Sequence, residues 1–545
     1  MSTIRGADVI ARTLARAGVK HLFSLSGNHV MAIYDAALDA DLDIVHTRHE
    51  GAAVHMADAW ARLTGEPGIV LLTGGPGHAN GVGALYTALA SESPVVMLSG
   101  HAPLAELETG SFQEMRQAEM AAPVVKAAWT AQSAEHLADD IARAVQIATS
   151  GRPGPVHVSL PVDLLEAAVP EPSALRKDTP LAFRTASRVF DDAVVQRTLH
   201  LLGEAQRPLI LVGPVMSNGR ESGVREALAH ALGIPVLCME SPRGLNDPAL
   251  GAVADVVSHA DLIVLLGKQA DFTLRFAKPP AIAASCRFAV VDPEDTPLER
   301  TLKVIGRERV ALSIVADSVS AARQLSAAVT TSLDKKTWND EVDSAVRYRP
   351  PEWARLDSSE GPVHPAEVGR TVQRVLDTCR DPIFVSDGGE FGQWAQACID
   401  APTRVINGQA GSIGSALPFA LAAKLARPDA TVVATTGDGA CGFHLLELET
   451  ALRAGLAPVV VVGNDACWNA EHQIQIRAYG EARARYTELS ATRYDQVAVA
   501  LGAHGEYVTR AGDLAPALER ALASGRPALV NVMVQRAPAP VVRKS

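Results

Sequence analysis

Residues 431–469 read TVVATTGDGACGFHLLELETALRAGLAPVVVVGNDACWN. Two continuous apolar, β-branched runs, 431–437 and 457–464, frame a helical pattern. That is the strand–helix–strand unit of a parallel sheet. The first run ends on Gly437-Asp438-Gly439, and after 24 further residues the second ends on Asn464-Asp465. A Gly turn at a strand end lets backbone approach a diphosphate closely. Asp438 offers Mg²⁺ a hard oxygen, and the crossover returns a second ligand to the same point. This suits an ion that takes few protein oxygens and completes its octahedron on phosphate. A Gly-Asp-Gly alone is an ordinary turn; the strand context and the spacing distinguish this one.

The same alternation extends outward. Short apolar runs at 67–74, 94–100, 208–213, 261–267 and 287–292 alternate with longer helical patterns, which predicts an α/β chain of parallel sheets flanked by helices. Several runs end in Gly or Asp, and open parallel sheets bind ligands at the carboxyl ends of their strands. A length of 545 residues suggests about three domains. Two Pro-interrupted polar stretches, 164–185 and 331–362, read as linkers. They leave blocks at 1–165, 186–330 and 363–535.

Net charge is −11 with no basic block, which argues against a nucleic-acid partner. No apolar run reaches the roughly 18 residues of a membrane helix. The opening MSTIRGADVIARTLARAG has the pattern of an amphipathic helix rather than a signal peptide. Cys238, Cys286, Cys379, Cys398, Cys441 and Cys467 form no CxxC pair and no zinc spacing, so reduced thiols in a cytoplasmic protein are expected. VGPVMSNGR (212–220) holds a single Gly loop, weak evidence for a nucleotide in the central block.

A second signal lies upstream. Arg48-His49-Glu50 closes a strand, and GAAVHMADAWAR opens a helix. A lone Glu there is ordinarily a capping or dipole residue. The wider pattern says more. Gly437-Asp438-Gly439 with Asn464-Asp465 resembles the diphosphate-binding motif of thiamine diphosphate (ThDP) enzymes. RHE-x-x-A-x-x-x-A-x-x-x-A-R resembles the pyrimidine-binding domain of acetolactate synthases, benzaldehyde lyases and their relatives. TGGPGHANGVGALYTA (73–88), GSFQE (110–114) and SGRPGPVHVSLPVDL (150–164) follow in family order, so the resemblance covers nearly the whole chain.

It implies a pyrimidine-binding, a central and a diphosphate-binding domain, with ThDP and Mg²⁺ as cofactors. It implies Gly437, Gly439 and Asn464 around the diphosphate. As metal ligands it implies Asp438, the Asp465 side chain and the main-chain carbonyl of Cys467. Asp465 stands where Asn is commoner and adds a negative charge beside a diphosphate. Ile413, in GQAGSIGSALP, matches the residue that props the cofactor in its bent form. Glu50 falls on the catalytic glutamate, set against N1′ of the aminopyrimidine. There it favours the imino tautomer that deprotonates C2, and an apolar pocket would raise its pKa toward working pH. In the family this glutamate meets the Gly-Asp-Gly of another subunit, which implies a homodimer or homotetramer.

The residues over C2 set the reaction. Asn28-His29 stands where benzaldehyde lyase has a small residue and a His. His29 would pass a proton to and from the substrate hydroxyl, its unperturbed pKa being near 6.5, and Asn28 would narrow the room for an aromatic ring. Gln113 matches a residue that orients intermediates, and His78 is a further candidate. Glu390, in SDGGEFGQWAQ, and Trp468 and Glu471, in CWNAEH, complete the substrate set. Glu390 replaces an Asn of oxalyl-CoA decarboxylases and 2-hydroxyacyl-CoA lyases. Ionised, it would oppose a substrate carboxylate by roughly 4 kcal/mol at about 4 Å and an effective dielectric of about 20. The expectation is therefore lysis or ligation of 2-hydroxy ketones, 2-oxo acids or 2-hydroxyacyl thioesters, with a small molecule, CoA thioesters included, as partner. The alternatives are a 2-hydroxyacyl-CoA lyase or oxalyl-CoA decarboxylase, an acetolactate synthase, and a non-catalytic scaffold of the same fold. The joint presence of Glu50, Asp438 and Asp465 argues against the scaffold.

Overall fold

The computed structural model describes residues 3–170, 187–356, 358 and 361–544. They form three parallel sheets flanked by helices, plus a small antiparallel pair, Thr3–Arg5 with Ala168–Pro170. The chain divides into two compact units. One is Met1–Ala186 with Leu417–Pro428 and His444–Leu456; the other is Ser187–Ala416 with Asp429–Phe443 and Ala457–Ser545.

In the first unit the six strands run, across the sheet, Asp43–His46, His21–Leu25, Gly68–Leu72, Val95–His101, Val156–Pro161, Ala127–Thr130. All neighbours are parallel. The helix Glu50–Thr64 lies directly on the strand Gly68–Leu72. A Cβ at Gly68 would fall 2.2 Å from the Ala57 carbonyl oxygen. The small residues Ala53, Ala57 and Ala61, all buried, allow that approach. Inside the same helix Asp58 and Arg62 make a buried ion pair at 2.5 Å. Arg152, at the end of the expected first block, pairs with Glu92.

The second unit holds two sheets. The five-stranded one runs Val236–Cys238, Pro208–Val212, Leu262–Leu266, Arg287–Asp292, Val310–Val315. Its central strands are buried on both faces: Leu209, Leu211, Ile263 and Leu265 belong to one core, and Ile210, Val212, Val264 and Leu266 to another. This is why they read as unbroken apolar runs. The six-stranded sheet runs Thr403–Ile406, Pro382–Ser386, Thr431–Gly437, Val459–Asn464, Ala528–Met533, His504–Val508. Numbered along the chain, its order is 2-1-3-4-6-5, the same as in the first unit.

The linker expected at 331–362 is not loose chain: Lys336–Arg347 is a helix. Trp338, Val342 and Ala345 are buried against the central core, and their spacing of four and three is that of one helix face. The dense charge around them hides the stripe in sequence. Of the linker expected at 164–185, residues 171–185 lie outside the described residues. The part before them holds the short helix Val162–Glu166 and the strand Ala168–Pro170. The opening segment forms the helix Gly6–Arg16, with seven buried residues on one face. No two cysteines are joined in a disulfide among the described residues. Among the described residues no helix is long and apolar enough to cross a membrane.

Candidate active site

Three neighbouring strands of the third sheet end at one cavity of about 400 Å³, all within the second unit. Pro382–Ser386 leads into the helix Gly389–Cys398 and supplies Glu390. Thr431–Gly437 leads into the helix Asp438–His444. Val459–Asn464 leads through Asp465 and Trp468 into the helix Asn469–Tyr479. Gly437, Asp438, Gly439, Asp465, Cys467, Ile413, Trp468, Glu471 and Glu390 all line the cavity. It lies at the carboxyl ends of these strands, where open parallel sheets bind ligands.

Two carboxyls meet there. Burial raises the Asp438 pKa, and its Oδ2 accepts the Cys467 N–H at 3.2 Å. Burial, and then the Asp438 charge, push Asp465 up to about 7. The Asp465 loop is tied down by Arg536, which donates to the carbonyls of Asp465 and Ala466 at 2.9 and 3.0 Å. Ala466 sits at φ 53°, a left-handed conformation uncommon for a residue with a Cβ. The Asn464 amide is turned away from the cavity, donating to Thr492 O and Asn531 Oδ1. The Trp468 ring lies over Gly439, where a Cβ would fall 2.5 Å from it.

Glu390 is not the bare anion expected. It is 6% exposed, and burial raises its pKa while Arg243, 3.7 Å away, opposes the rise. A cation thus stands beside it, and the expected repulsion of a substrate carboxylate is offset.

In the first unit Glu50 begins the helix Glu50–Thr64 and is 7% exposed. The bland role for a Glu at this point is taken by its neighbour: His49 caps the helix, its Nδ1 accepting the Gly51 N–H at 3.0 Å. The Glu50 carboxylate is held instead by Asn80, whose Nδ2 donates to Oε2 at 3.0 Å. The loop before it is gripped by Glu447, a buried carboxylate that accepts the N–H groups of Arg48 and His49 at 3.0 and 3.1 Å.

His29 follows the strand His21–Leu25 and is 5% exposed. Its Nδ1 meets Thr73 Oγ1 at 3.2 Å, and its ring stacks on Phe112 at 6.4 Å. Burial, with His101 adding, lowers its pKa. Thr73 cannot shift, because Gly27 and Gly77 pack so closely on it that a Cβ on either would fall within 2.6 Å of its side chain. Asn28 is exposed. Gln113, at φ 58°, packs its carbonyl against Gly75. His78 faces inward: it is fully buried, its ring tilted against that of His157 at 4.5 Å, bonded to Ser99 at 3.0 Å, and its pKa is pushed down to about 4. It is set aside as a substrate contact.

Residues 4–120 match the profile of the thiamine pyrophosphate enzyme N-terminal TPP-binding domain, and residues 387–532 that of the C-terminal TPP-binding domain. An acetolactate synthase large subunit of Mycobacterium tuberculosis is 35% identical across 97% of this chain and 96% of its own length. The chain belongs to the thiamine pyrophosphate enzyme family. The Escherichia coli acetolactate synthase isozyme 3 large subunit is similar at 30% identity, covering 96% of this chain and 93% of its own. Human 2-hydroxyacyl-CoA lyase 2 is similar at 28%, covering 98% and 91%. The protein is thus a ThDP-dependent enzyme.

As a ThDP enzyme it has a cavity that fits the cofactor's charged end. A Cβ at Gly437 would meet nothing within 4 Å and would stand in the cavity itself, so glycine keeps that space clear. Two buried carboxyls, the charge of Asp438 raising the proton affinity of Asp465, form a natural seat for a divalent cation. Five further residues join the candidates: Asp387, Asn80, Thr73, Phe112 and Glu447. Asp387 is fully buried, and its Oδ2 accepts the Gly414 N–H beside Ile413 at 2.9 Å. Thr73, Asn80, Phe112 and Asp387 lie inside motifs that the sequence shows, but nothing in the sequence marks which side chain each one meets, and Glu447 carries no signal.

Proposed function

We propose that this enzyme is a carbon–carbon lyase/carboligase acting on 2-hydroxy ketones or 2-hydroxyacyl thioesters. The supporting observation is His29, an imidazole whose protonation burial disfavours, held at Nδ1 by Thr73, with no described residue bonded to Nε2. When bound, ThDP supplies the carbanion nucleophile that adds to the substrate carbonyl. Glu50, fixed through Asn80, holds a proton at the pyrimidine ring. Asp438, Asp465 and the Cys467 carbonyl would hold Mg²⁺; Gly437, Gly439 and Ile413 would shape the seat, with Asn464 bracing its loop. His29 Nε2 takes the proton from the 2-hydroxyl as the carbon–carbon bond breaks and returns it in ligation. Asn28, Gln113, Trp468, Glu471 and Glu390 would border the substrate.

We assign the pyrimidine-binding role to 1–165 and the diphosphate-binding role to 363–535, with 186–330 between them. The active unit is a homodimer or homotetramer, and thiols without disulfides support a cytoplasmic setting. Arg243 favours a second reading, an acetolactate synthase, because it offers a 2-oxo acid carboxylate a cation.

Steady-state rates separate the two readings. The lyase releases aldehyde from a 2-hydroxy ketone or 2-hydroxyacyl thioester faster than CO₂ from pyruvate. Pyruvate consumed to acetolactate, with no cleavage of either, establishes the synthase instead. In both cases Glu50→Gln should slow C2 proton exchange about 10²- to 10⁴-fold with ThDP binding kept. Asp438→Ala should abolish Mg²⁺-dependent ThDP binding.

A further inference from the structure

We propose that a second cavity adjoining the catalytic one is an anion-binding vestibule that takes a phosphate-bearing tail of the substrate. This rests on the catalytic reading above and names the substrate class of that same site. The second cavity encloses about 480 Å³ and shares Arg243 and Glu390 with the first. Arg243, Arg275, Arg477 and Arg543 line it against one carboxylate, Glu390. In a chain of net charge −11, four guanidiniums around one cavity run against the overall field.

Two of the four are compensated: Arg243 by Glu390 at 3.7 Å and Arg543 by Asp255 at 3.1 Å. Arg477 acts on Glu390 through its charge without a close ion pair, and Arg275 makes no ion pair among the described residues. The guanidinium fork matches phosphate oxygens in pairs. Phe272, half exposed on the same wall, offers a flat apolar face of the kind a nucleobase stacks on.

The wall is built rather than incidental. Asp271 anchors the turn by accepting the Thr273 N–H and hydroxyl and by pairing with buried Lys268 at 2.7 Å. Arg275, Phe276 and Ala277 then follow at φ 51°, 55° and 54°. Three successive non-glycine residues in the left-handed region are costly, and such strain gathers at ligand clamps. Gly244 admits the turn: a Cβ there would fall 2.0 Å from the Thr273 carbonyl oxygen. Pyruvate or a simple hydroxy ketone carries no group that would use these arginines. An acyl thioester on a phosphorylated nucleotide tail does, as does a phosphorylated sugar.

Calorimetry on the ThDP- and Mg²⁺-loaded full chain tests this with coenzyme A, phosphate-free pantetheine and a pentose 5-phosphate as probes. Coenzyme A should bind at least about 10-fold more tightly than pantetheine. Arg275→Gln and Arg477→Gln should each weaken it about 10-fold, as expected for one charge-assisted bond. Arg275→Lys should recover part of the loss, and added salt should weaken wild type more than either variant. KM for a 2-hydroxyacyl-CoA should rise in parallel while kcat holds. Preferential binding of the pentose phosphate, with the same variant losses, assigns the tail to a phosphorylated sugar. Phosphorylated probes that bind no better than pantetheine, or binding indifferent to both substitutions, overturn the vestibule. Binding is read without turnover. Probe binding with no carbon–carbon cleavage would therefore sink the catalytic reading alone, and cleavage without probe binding would sink the vestibule alone.

Discussion

Replacing Asp387 with Asn should change how the stability of the cofactor-free enzyme responds to pH. The carboxyl is fully buried. Its Oδ2 accepts the Gly414 N–H at 2.9 Å and the Thr436 hydroxyl at 3.2 Å, and its Oδ1 has no partner among the described residues. Burial pushes its pKa from an ordinary 3.8 up to about 7. Between those values the folded chain keeps a proton that the unfolded chain has released. The stabilisation is therefore fully present below about pH 4 and is lost as pH rises toward 7. At about 1.4 kcal/mol per unit, tapering as pH reaches the folded pKa, the loss between pH 5 and pH 7 is about 2 kcal/mol. Asn does not ionise and escapes this loss, although its stranded amide N–H costs about 1–3 kcal/mol at every pH. Urea midpoints at pH 5, 6, 7 and 8 should show the variant gaining on wild type by about 3 kcal/mol across the series. Parallel curves for the two proteins would refute the buried proton. The protein tolerates this acid because it fastens Gly414, and with it Ile413, to the cavity wall.

Two further substitutions test the first unit. Gly100→Ala would drive a Cβ to 2.5 Å from the His29 Cβ and 2.7 Å from its carbonyl oxygen; hydroxy-ketone cleavage should fall about 100-fold through misplacement of the imidazole. C2 proton exchange measured by NMR should be retained, and equal loss of both would mean a general structural defect. Glu447→Ala strands the N–H groups of Arg48 and His49, at about 1–3 kcal/mol each. Thermal stability and C2 proton exchange should drop together, with Glu447→Gln intermediate; unchanged exchange would show that the Glu50 loop is held by other bonds.

The sequence was most legible where burial is two-sided. The runs at 431–437 and 287–292 coincide with strands, because a central strand is apolar on both faces. Edge strands such as Ala127–Thr130 and His504–Val508, mostly half-buried, carry diluted patterns and passed unnoticed. The helix Lys336–Arg347 was missed for a related reason, three apolar residues among many charges. In the site, Asp438 and Asp465 were visible because one crossover fixes their separation in sequence. The partners that set each residue's chemistry were not visible. Thr73 lies 44 residues from His29, Asn80 lies 30 from Glu50, and Glu447 lies 399 from Arg48. Nor does charge alone reveal state: Glu390 reads as an anion until Arg243 and its burial are seen.

The shared strand order of the first and third sheets gives the chain two Gly-rich turns at the same address. Thr73-Gly74-Gly75-Pro76-Gly77 follows the third strand of one sheet, and Thr436-Gly437-Asp438-Gly439 closes the third strand of the other and leads out of it. Each opens a helix, Pro76–Ala90 or Asp438–His444. Only the second carries an acid. The first spends its glycines on nesting Thr73 and admitting Glu50's surroundings, since a Cβ at Gly77 would press on both Thr73 and the Glu50 carboxylate. On the proposed reading, one architectural plan used twice would serve as an anion-and-metal socket in one copy and an acid–base frame in the other. The division of labour in this enzyme comes down to what a few residues do at a turn that the fold itself supplies in duplicate.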